Sequence, residues 1–346
     1  MKVYQFRLFP TKSQLTSIKK QMEVHRLLYN ECLEEKIKKY SEEKISLSDF
    51  DLIKCKVKKY KGQSNYSSLQ QTIRRLGKSY KRFFSKNSKF PRFKSKNRFN
   101  TIEYAKVGDG CKLKIEENLI YIQYVGDIIC NFHRKIEGKI KTLSLTLRGN
   151  FLYINIFCEQ LIQKKAKRST SIGIDFGITN TITLSNGENF QSPKFTRKKE
   201  KDLARLNRRK NYKAITKVYK KIKNKRKDFN HKLSKKIVDD YDIICIENLK
   251  VENIKSNISN INKRLYDIGI CQLKTFINYK AENAGKLTVL VDPSYTTQKC
   301  SQCNDIKKKK IKDREHNCNC GLVLDRDHNA SINILRAGLR SLGLNP

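Results

Sequence analysis

The sequence predicts a multidomain α+β protein, with a β-rich first half that carries inserted helices and an α/β layer structure in the second half. Three observations lead there. Short alternating segments separated by Gly and Asn turns fill residues 102 to 159, as in an antiparallel sheet. Between the opening strand and that block, apolar residues recur at helical spacing. Beyond residue 170, strands and helices alternate, as in layered α/β folds. A chain of 346 residues has room for two or three domains, each able to bury its own core.

The first strand, Val3 to Phe9, alternates and stops at Pro10. Thr11 and Gln14 read as a capping box that opens a long helix with Leu15, Ile18, Met22 and Tyr29 on one face. A second helical stretch runs near Asp49 to Tyr60. A third, Ser67 to Phe84, places Leu69, Ile73, Leu76, Tyr80 and Phe83 at steps of four, three, four and three. Its other faces carry Arg74, Arg75, Lys78, Lys81 and Arg82. Such a run is either a solvated surface or a phosphate-facing one, and the lack of balancing acids favours the second. In KFPRFKSKNRF (89–99), Phe alternates with cations that include Arg92, Lys94 and Lys96. That pattern suits stacking on bases, and equally a strand with its aromatics turned inward. CKLKI, LIYIQYV, DIICNF, IKTLSLTL and FLYINIFC then read as strands of a small barrel or curled sheet, closed in part by the N-terminal strand.

A basic linker near 161 to 170 marks a boundary. SIGIDFG and TITLSNG read as a hairpin, the second strand ending in an Asn-Gly turn. From Lys194 to Lys232, 18 Lys or Arg, among them Arg208 and Arg209, face three acids. YDIICIEN is a buried strand, Leu265 to Glu282 a helix and LTVLVD another strand. A cysteine cluster follows, then a closing helix from about Asp327.

Lys and Arg total 75 against 33 acids, a formal charge of +42. An excess of this size calls for a polyanion, and nucleic acid fits better than a membrane surface because the cations are spread along the whole chain. No apolar run approaches the roughly 20 residues that span a bilayer. MKVYQFRLFP lacks the apolar block of a signal peptide. Seven of the eleven cysteines are scattered without spacing, which suits a reducing compartment. The expected location is the cytoplasm, and the nucleoid when the chain is bound to DNA.

Asp175 ends the apolar run Ile172-Gly173-Ile174, and Glu247 ends Ile243-Ile244-Cys245-Ile246. A carboxylate on a buried strand is costly unless paired or bound to metal. On the closing helix, Asp327, Ala330, Ile334 and Ala337 share one face, whereas Asp325 precedes the helix and falls off that stripe. Asp327 is alternatively an N-cap, or both at once. Three carboxylates converging at one sheet edge would hold two Mg²⁺ or Mn²⁺ ions and serve in-line displacement at phosphorus.

Cys300-x-x-Cys303 and Cys318-x-Cys320 are separated by 14 residues. Four thiolates in two knuckles suit a closed, structural Zn²⁺ site. The second knuckle is one residue short, which leaves room for His316 in place of Cys318, or for His328. A redox role for the Cys-x-x-Cys pair lacks a thioredoxin-like context. Lysines 307 to 310 lie in the intervening loop.

GIDFGITN, then KDFNHKLSKKIVDDYDIICIENL, then VDPSYTTQKCSQC…CNCGLVLDRDHNASINIL resemble the RuvC-like nuclease of the TnpB family, transposon-encoded RNA-guided proteins related to type V CRISPR effectors. MKVYQFRLFPTKSQ, LLYNECL and FPRFKSKNRF are similar to the family's N-terminal segments. The resemblance implies a wedge-like, oligonucleotide-binding-like β-barrel (1–10 and 88–165) and a helical recognition domain (11–87). It further implies an RNase H-like RuvC nuclease domain (166–294 and 324–346) and a zinc-binding insertion (295–323). The acidic triad would be Asp175, Glu247 and Asp327, and the zinc ligands Cys300, Cys303, Cys318 and Cys320. The implied activity is RNA-guided cleavage of double-stranded DNA beside a short adjacent motif, with the guide RNA transcribed from the transposon end. A miniature type V CRISPR effector is the close alternative, and a guide-dependent DNA-binding regulator without cleavage a more distant one. Monomer and dimer are both open.

Overall fold

The computed structural model describes residues 1–160, 170–177, 181–248, 269–308 and 313–345. Internal contacts divide the chain into two units, Met1–Leu161 and Ile162–Pro346.

The first unit opens with β1 (Lys2–Phe9), and Pro10 ends it. The 32-residue helix α1 (Lys12–Glu43) then starts from the expected capping box: Thr11 accepts from the Gln14 N–H while the Gln14 side chain accepts from the Thr11 N–H. A second box, Ser48 with Asp51, opens α2 (Asp49–Lys56), and a 3₁₀ turn carries it on to Tyr60. Asn65 caps α3 (Tyr66–Phe84). Lys89–Phe99 forms no strand. It is irregular apart from a 3₁₀ turn at Lys96–Arg98, and Pro91, which cannot donate to a ladder, is buried within it.

Six more strands follow: β2 (Thr101–Tyr104), β3 (Cys111–Lys114), β4 (Leu119–Ile122), β5 (Gly126–Cys130), β6 (Lys139–Arg148) and β7 (Phe151–Glu159). They form one antiparallel sheet in the order β2-β6-β7-β1-β5-β4-β3. The N-terminal strand thus completes it from inside, pairing with β7 from Lys2↔Cys158 to Leu8↔Leu152 and touching β5 at Leu8↔Cys130. All seven strands place one face in a single core with Ile18 and Met22 of α1. The end strands β2 and β3 approach each other, since the buried Tyr104 hydroxyl and Cys111 thiol interact electrostatically. Among the described residues no ladder joins them, so the sheet curls to near closure without becoming a barrel. Farther along α1, Val24, Leu28, Tyr29 and Leu33 build a second core with α2 and α3.

In the second unit, β8 (Ser171–Asp175), β9 (Ile182–Leu184) and β10 (Asn189–Phe190) form an antiparallel meander. The chain continues through α4 (Glu200–Arg208) and α5 (Tyr212–Asp240) to β11 (Ile243–Glu247), then α6 (Ile270–Asn283) and β12 (Leu287–Val291). β11 lies parallel between β8 and β12, giving the order β10-β9-β8-β11-β12. Of the expected helix from Leu265, residues 265–268 lie outside the described residues. The small ribbon β13 (Glu315–Asn317) with β14 (Val323–Asp325) leads directly into α7 (Arg326–Ser341).

Side-chain alternation splits this sheet into two faces. Ile172, Ile174, Ile244 and Ile246 join α5 and α6 in one core, while Ile243 and Cys245 join Ile334 and Leu339 of α7 in another. Gly173, on the α7 face, permits a close approach: a Cβ there would stand 2.1 Å from the Ser331 carbonyl oxygen. The buried stripe of α7 runs Asp327, Ala330, Ile334, Gly338. The expected fourth member, Ala337, is exposed, because the helix is pressed so near Cys245 that only a glycine fits, and Gly338 is that glycine.

Candidate functional site

Asp175 is the last residue of β8 and Glu247 the last of β11, neighbouring parallel strands paired at Ile246↔Ile174. By alternation both point with Gly173 and Cys245 to the α7 face. Asp327 sits in the first turn of α7. The three residues, far apart in sequence, are 7%, 4% and 7% exposed and interact electrostatically around Asp175. Burial is the main cause that raises the Asp175 carboxyl well above its usual range, with the charges of Glu247 and Asp327 adding and Arg326 opposing. Burial raises Glu247 as well, against a hydrogen bond from Thr296 and the charge of Lys274. Desolvated like charges of this kind are what a bound cation relieves, so the donor set fits hard divalent ions.

Among the described residues, Arg326 and Lys274 border the cluster. Arg326 holds Asp327 Oδ1 through Nε and a terminal nitrogen, both at 3.2 Å. Lys274 of α6 donates to the Glu247 carbonyl oxygen and lies 5.1 Å from the centre of the Phe176 ring. Asp325 is the N-cap, its Oδ1 accepting from the N–H groups of Asp327 at 2.9 Å and His328 at 3.0 Å. Asp327 does not cap. The His328 ring meets the Ser185 carbonyl oxygen at 3.3 Å, at the β9–β10 turn, and not the cysteines.

The sulfurs of Cys300, Cys303, Cys318 and Cys320 all lie within 4.8 Å of one another. Cys300 and Cys320 are 3.7 Å apart and Cys303 and Cys318 3.4 Å. Four thiolates about 2.3 Å from one zinc would be about 3.8 Å from each other. The cluster could therefore bind zinc, with the short second knuckle accommodated. Burial alone would push the Cys300 thiol up, but the N–H groups of Cys303 and Gln302 and the side chains of His316 and Cys318 outweigh it and bring it down to about 6. His316 is buried beside Cys300 and lies outside that four-sulfur group. Among the described residues, this is the one group of three or more His, Cys, Asp or Glu side chains packed this tightly. Lys307 reaches the Asn317 carbonyl oxygen, whereas lysines 309 and 310 lie outside the described residues.

The basic candidates divide. Arg74, Lys78, Arg92, Lys96, Arg208 and Arg209 are exposed. Arg75 is turned inward, donating to the Thr101 carbonyl oxygen at 3.2 Å and stacking over Phe99 at 4.3 Å. Lys94 is half-buried over Tyr29, and its backbone is tied to Asn30. Arg92 and Lys94 nevertheless border a groove of about 310 Å³ that is also lined by Tyr29, Arg82, Phe90 and Arg98.

Sequence reading missed Thr296, Lys274, Arg326, Asn329 and Asn333. The one signal for the asparagines is their spacing of four on the first turns of α7, which gives them a common face.

Three family models match this chain: a helix-turn-helix domain over residues 1–44, a probable transposase over 155–257 and a Cas12f1-like TNB domain over 271–334. Residues 1–44 here are a strand and one continuous helix. The chain is 28% identical to a putative RNA-guided DNA endonuclease of Streptomyces pristinaespiralis, over 98% of this chain and 89% of that protein. It is 28% identical to the putative RNA-guided DNA endonuclease InsQ of Escherichia coli K12, over 78% of this chain and 74% of that protein. The chain thus resembles proteins described as RNA-guided DNA endonucleases and as TnpB-like, in the first case along nearly its whole length. It also matches the CRISPR-associated endodeoxyribonuclease Cas12f1 of Sulfoacidibacillus thermotolerans, at 35% identity over 37% of this chain and 31% of that protein.

Proposed function

We propose that this chain is an RNA-guided endonuclease of the TnpB type that cuts double-stranded DNA at the carboxylates Asp175, Glu247 and Asp327. The observation that carries this reading is their convergence, from two strand ends and one helix start, on one face of the second unit's sheet. The sheet order, a meander followed by two parallel strands, fits an RNase H-like RuvC domain. Two divalent ions, Mg²⁺ or Mn²⁺, would supply a nucleophilic hydroxide and charge stabilisation for the leaving 3′ oxygen. Asp175, Glu247 and Asp327 would hold those ions. With Asp327 so engaged, Arg326 would turn to a backbone phosphate, while Lys274 fixes the end of β11. In the first unit, the curled sheet would form the wedge and helices α1 to α3 the recognition domain. The Cys₄ knuckles would hold a structural zinc.

Guide RNA from the transposon end would read the target by base pairing, and the chain would contact backbones through its exposed cations. The presence of all three carboxylates speaks against a regulator that binds without cutting. Replacing Asp175, Glu247 or Asp327 by Ala should abolish cleavage of a guide-matched plasmid while RNA and DNA binding persist in gel shifts. Substantial cutting by any one variant would overturn the assignment.

A further inference from the structure

Thr296, five residues after the end of β12 and four before Cys300, is 7% exposed, and its hydroxyl donates to Glu247 Oε1. Its own segment is clamped to α7. Asn333 donates to the Thr296 carbonyl oxygen at 3.0 Å and to that of Lys299 at 2.7 Å. Asn329 donates to the Lys299 carbonyl oxygen at 2.8 Å and accepts from the Ser301 N–H at 2.9 Å. All of these polar side chains are buried, Asn329 completely. Buried amides that satisfy backbone groups in this way fix a loop far better than apolar contact does, because breaking the pairing leaves unsatisfied groups in a dry interior. The stretch leading into the first cysteine knuckle is therefore locked to the same helix that carries Asp327, and from that position it reaches Glu247.

We propose that Thr296 is a positioning residue that holds the Glu247 carboxylate in its cation-binding orientation, through a segment pinned to α7 by Asn329 and Asn333. The inference rests on the assignment of Glu247 as a divalent-ion ligand. A carboxylate at a strand end retains rotamer freedom, and a hydroxyl anchored on one oxygen removes it, leaving the group oriented toward Asp175 and Asp327. Outer hydrogen bonds of this kind to ligating groups are worth about 10–100-fold in metal affinity.

The test is Mn²⁺ binding to the full-length chain, read by electron paramagnetic resonance of free Mn²⁺, with zinc content and melting temperature measured on every variant. Thr296→Val keeps the shape and deletes the hydroxyl, and should weaken Mn²⁺ binding about 10–100-fold with zinc retained. Thr296→Ser keeps the hydroxyl and should bind close to the unaltered chain, a rescue that a purely structural role would not produce. Thr296→Ala serves if the valine variant does not fold. Glu247→Gln separates the two levels. If it binds Mn²⁺ normally, the ligand assignment itself fails. If it binds weakly while Thr296→Val binds normally, or if Thr296→Ser is as weak as Thr296→Val, the positioning role fails.

Discussion

Asp325 and Asp327 stand two residues apart, and the structure gives them different work. Asp325 Oδ1 accepts two N–H groups at the start of α7, at 2.9 and 3.0 Å, while Asp327 is buried beside Arg326 and within electrostatic range of Asp175. Removing an N-cap costs about 1 kcal/mol, within a range of about 0.5–2. In a cooperative unit of about 150–250 residues each kcal/mol lowers the melting temperature by about 2–4 °C. Asp325→Ala should therefore melt a few degrees lower, and Asp325→Asn, which caps equally well, should not. Cleavage should survive in both. Asp327→Asn keeps the side-chain shape and removes one of the like charges around Asp175. It should melt no lower than the unaltered chain and yet fail to cut. Differential scanning calorimetry beside guide-matched plasmid cleavage reads both quantities. Equal loss of cleavage in Asp325→Asn and Asp327→Asn would refute the division of roles, and so would a normal melting temperature in Asp325→Ala.

Three further expectations follow from buried groups. Metal analysis of the purified chain should give one zinc, and Cys300→Ser should lose it; a zinc-free parent would remove the cluster's assignment. His25 is wholly buried between Thr72 Oγ1 at 2.7 Å and Ser64 Oγ at 2.9 Å, and burial holds its pKa down to about 3, below the roughly 6.5 of an unfolded chain. The unfolded state therefore binds the proton first, and stability falls as pH drops from about 6.5 toward 3, by about 1.4 kcal/mol per unit and about 2 kcal/mol at pH 5. The fall in urea midpoint from pH 7 to 5 should shrink in His25→Gln, and an unchanged fall would show that other groups cause it. At Gly338 an added Cβ would stand 2.2 Å from Cys245 Sγ, so Gly338→Ala should cost about 1–3 kcal/mol in urea unfolding. Adding Cys245→Ala should return part of that loss, and strict additivity would deny the clash.

Local rules were the most legible part of the sequence. The Thr11–Gln14 box, the apolar period of α3 and the Asn-Gly turn after β9 each depend on neighbours a few residues away, and each appears in the structure. Lys89–Phe99 is ambiguous for the same reason: alternation permits a strand, but among the described residues no strand pairs with it. The basic residues were the least legible, because sequence cannot say which cation turns inward. Arg75 satisfies a carbonyl oxygen and an aromatic face inside the first unit, whereas Arg74 beside it is exposed. Thr296 was invisible for a deeper reason, since its acceptor on Glu247 lies 49 residues away and no periodicity connects the two.

The stripe on α7 shows why one wrong position matters to the site. An expected Ala337 and an observed Gly338 differ by one residue, yet they imply different separations between helix and sheet. An alanine stripe permits ordinary helix-on-sheet packing, whereas glycines at 173 and 338 bring the α7 backbone into contact with β8 and with Cys245 of β11. Gly173 is two residues before Asp175 on the same face of the strand, so close packing at one sets the distance between Asp175 and Asp327 at the other. The same approach places Asn329 and Asn333 against the Thr296–Ser301 segment, which a helix standing farther out could not reach. Two glycines therefore govern both how near the carboxylates come and whether the knuckle segment can brace Glu247.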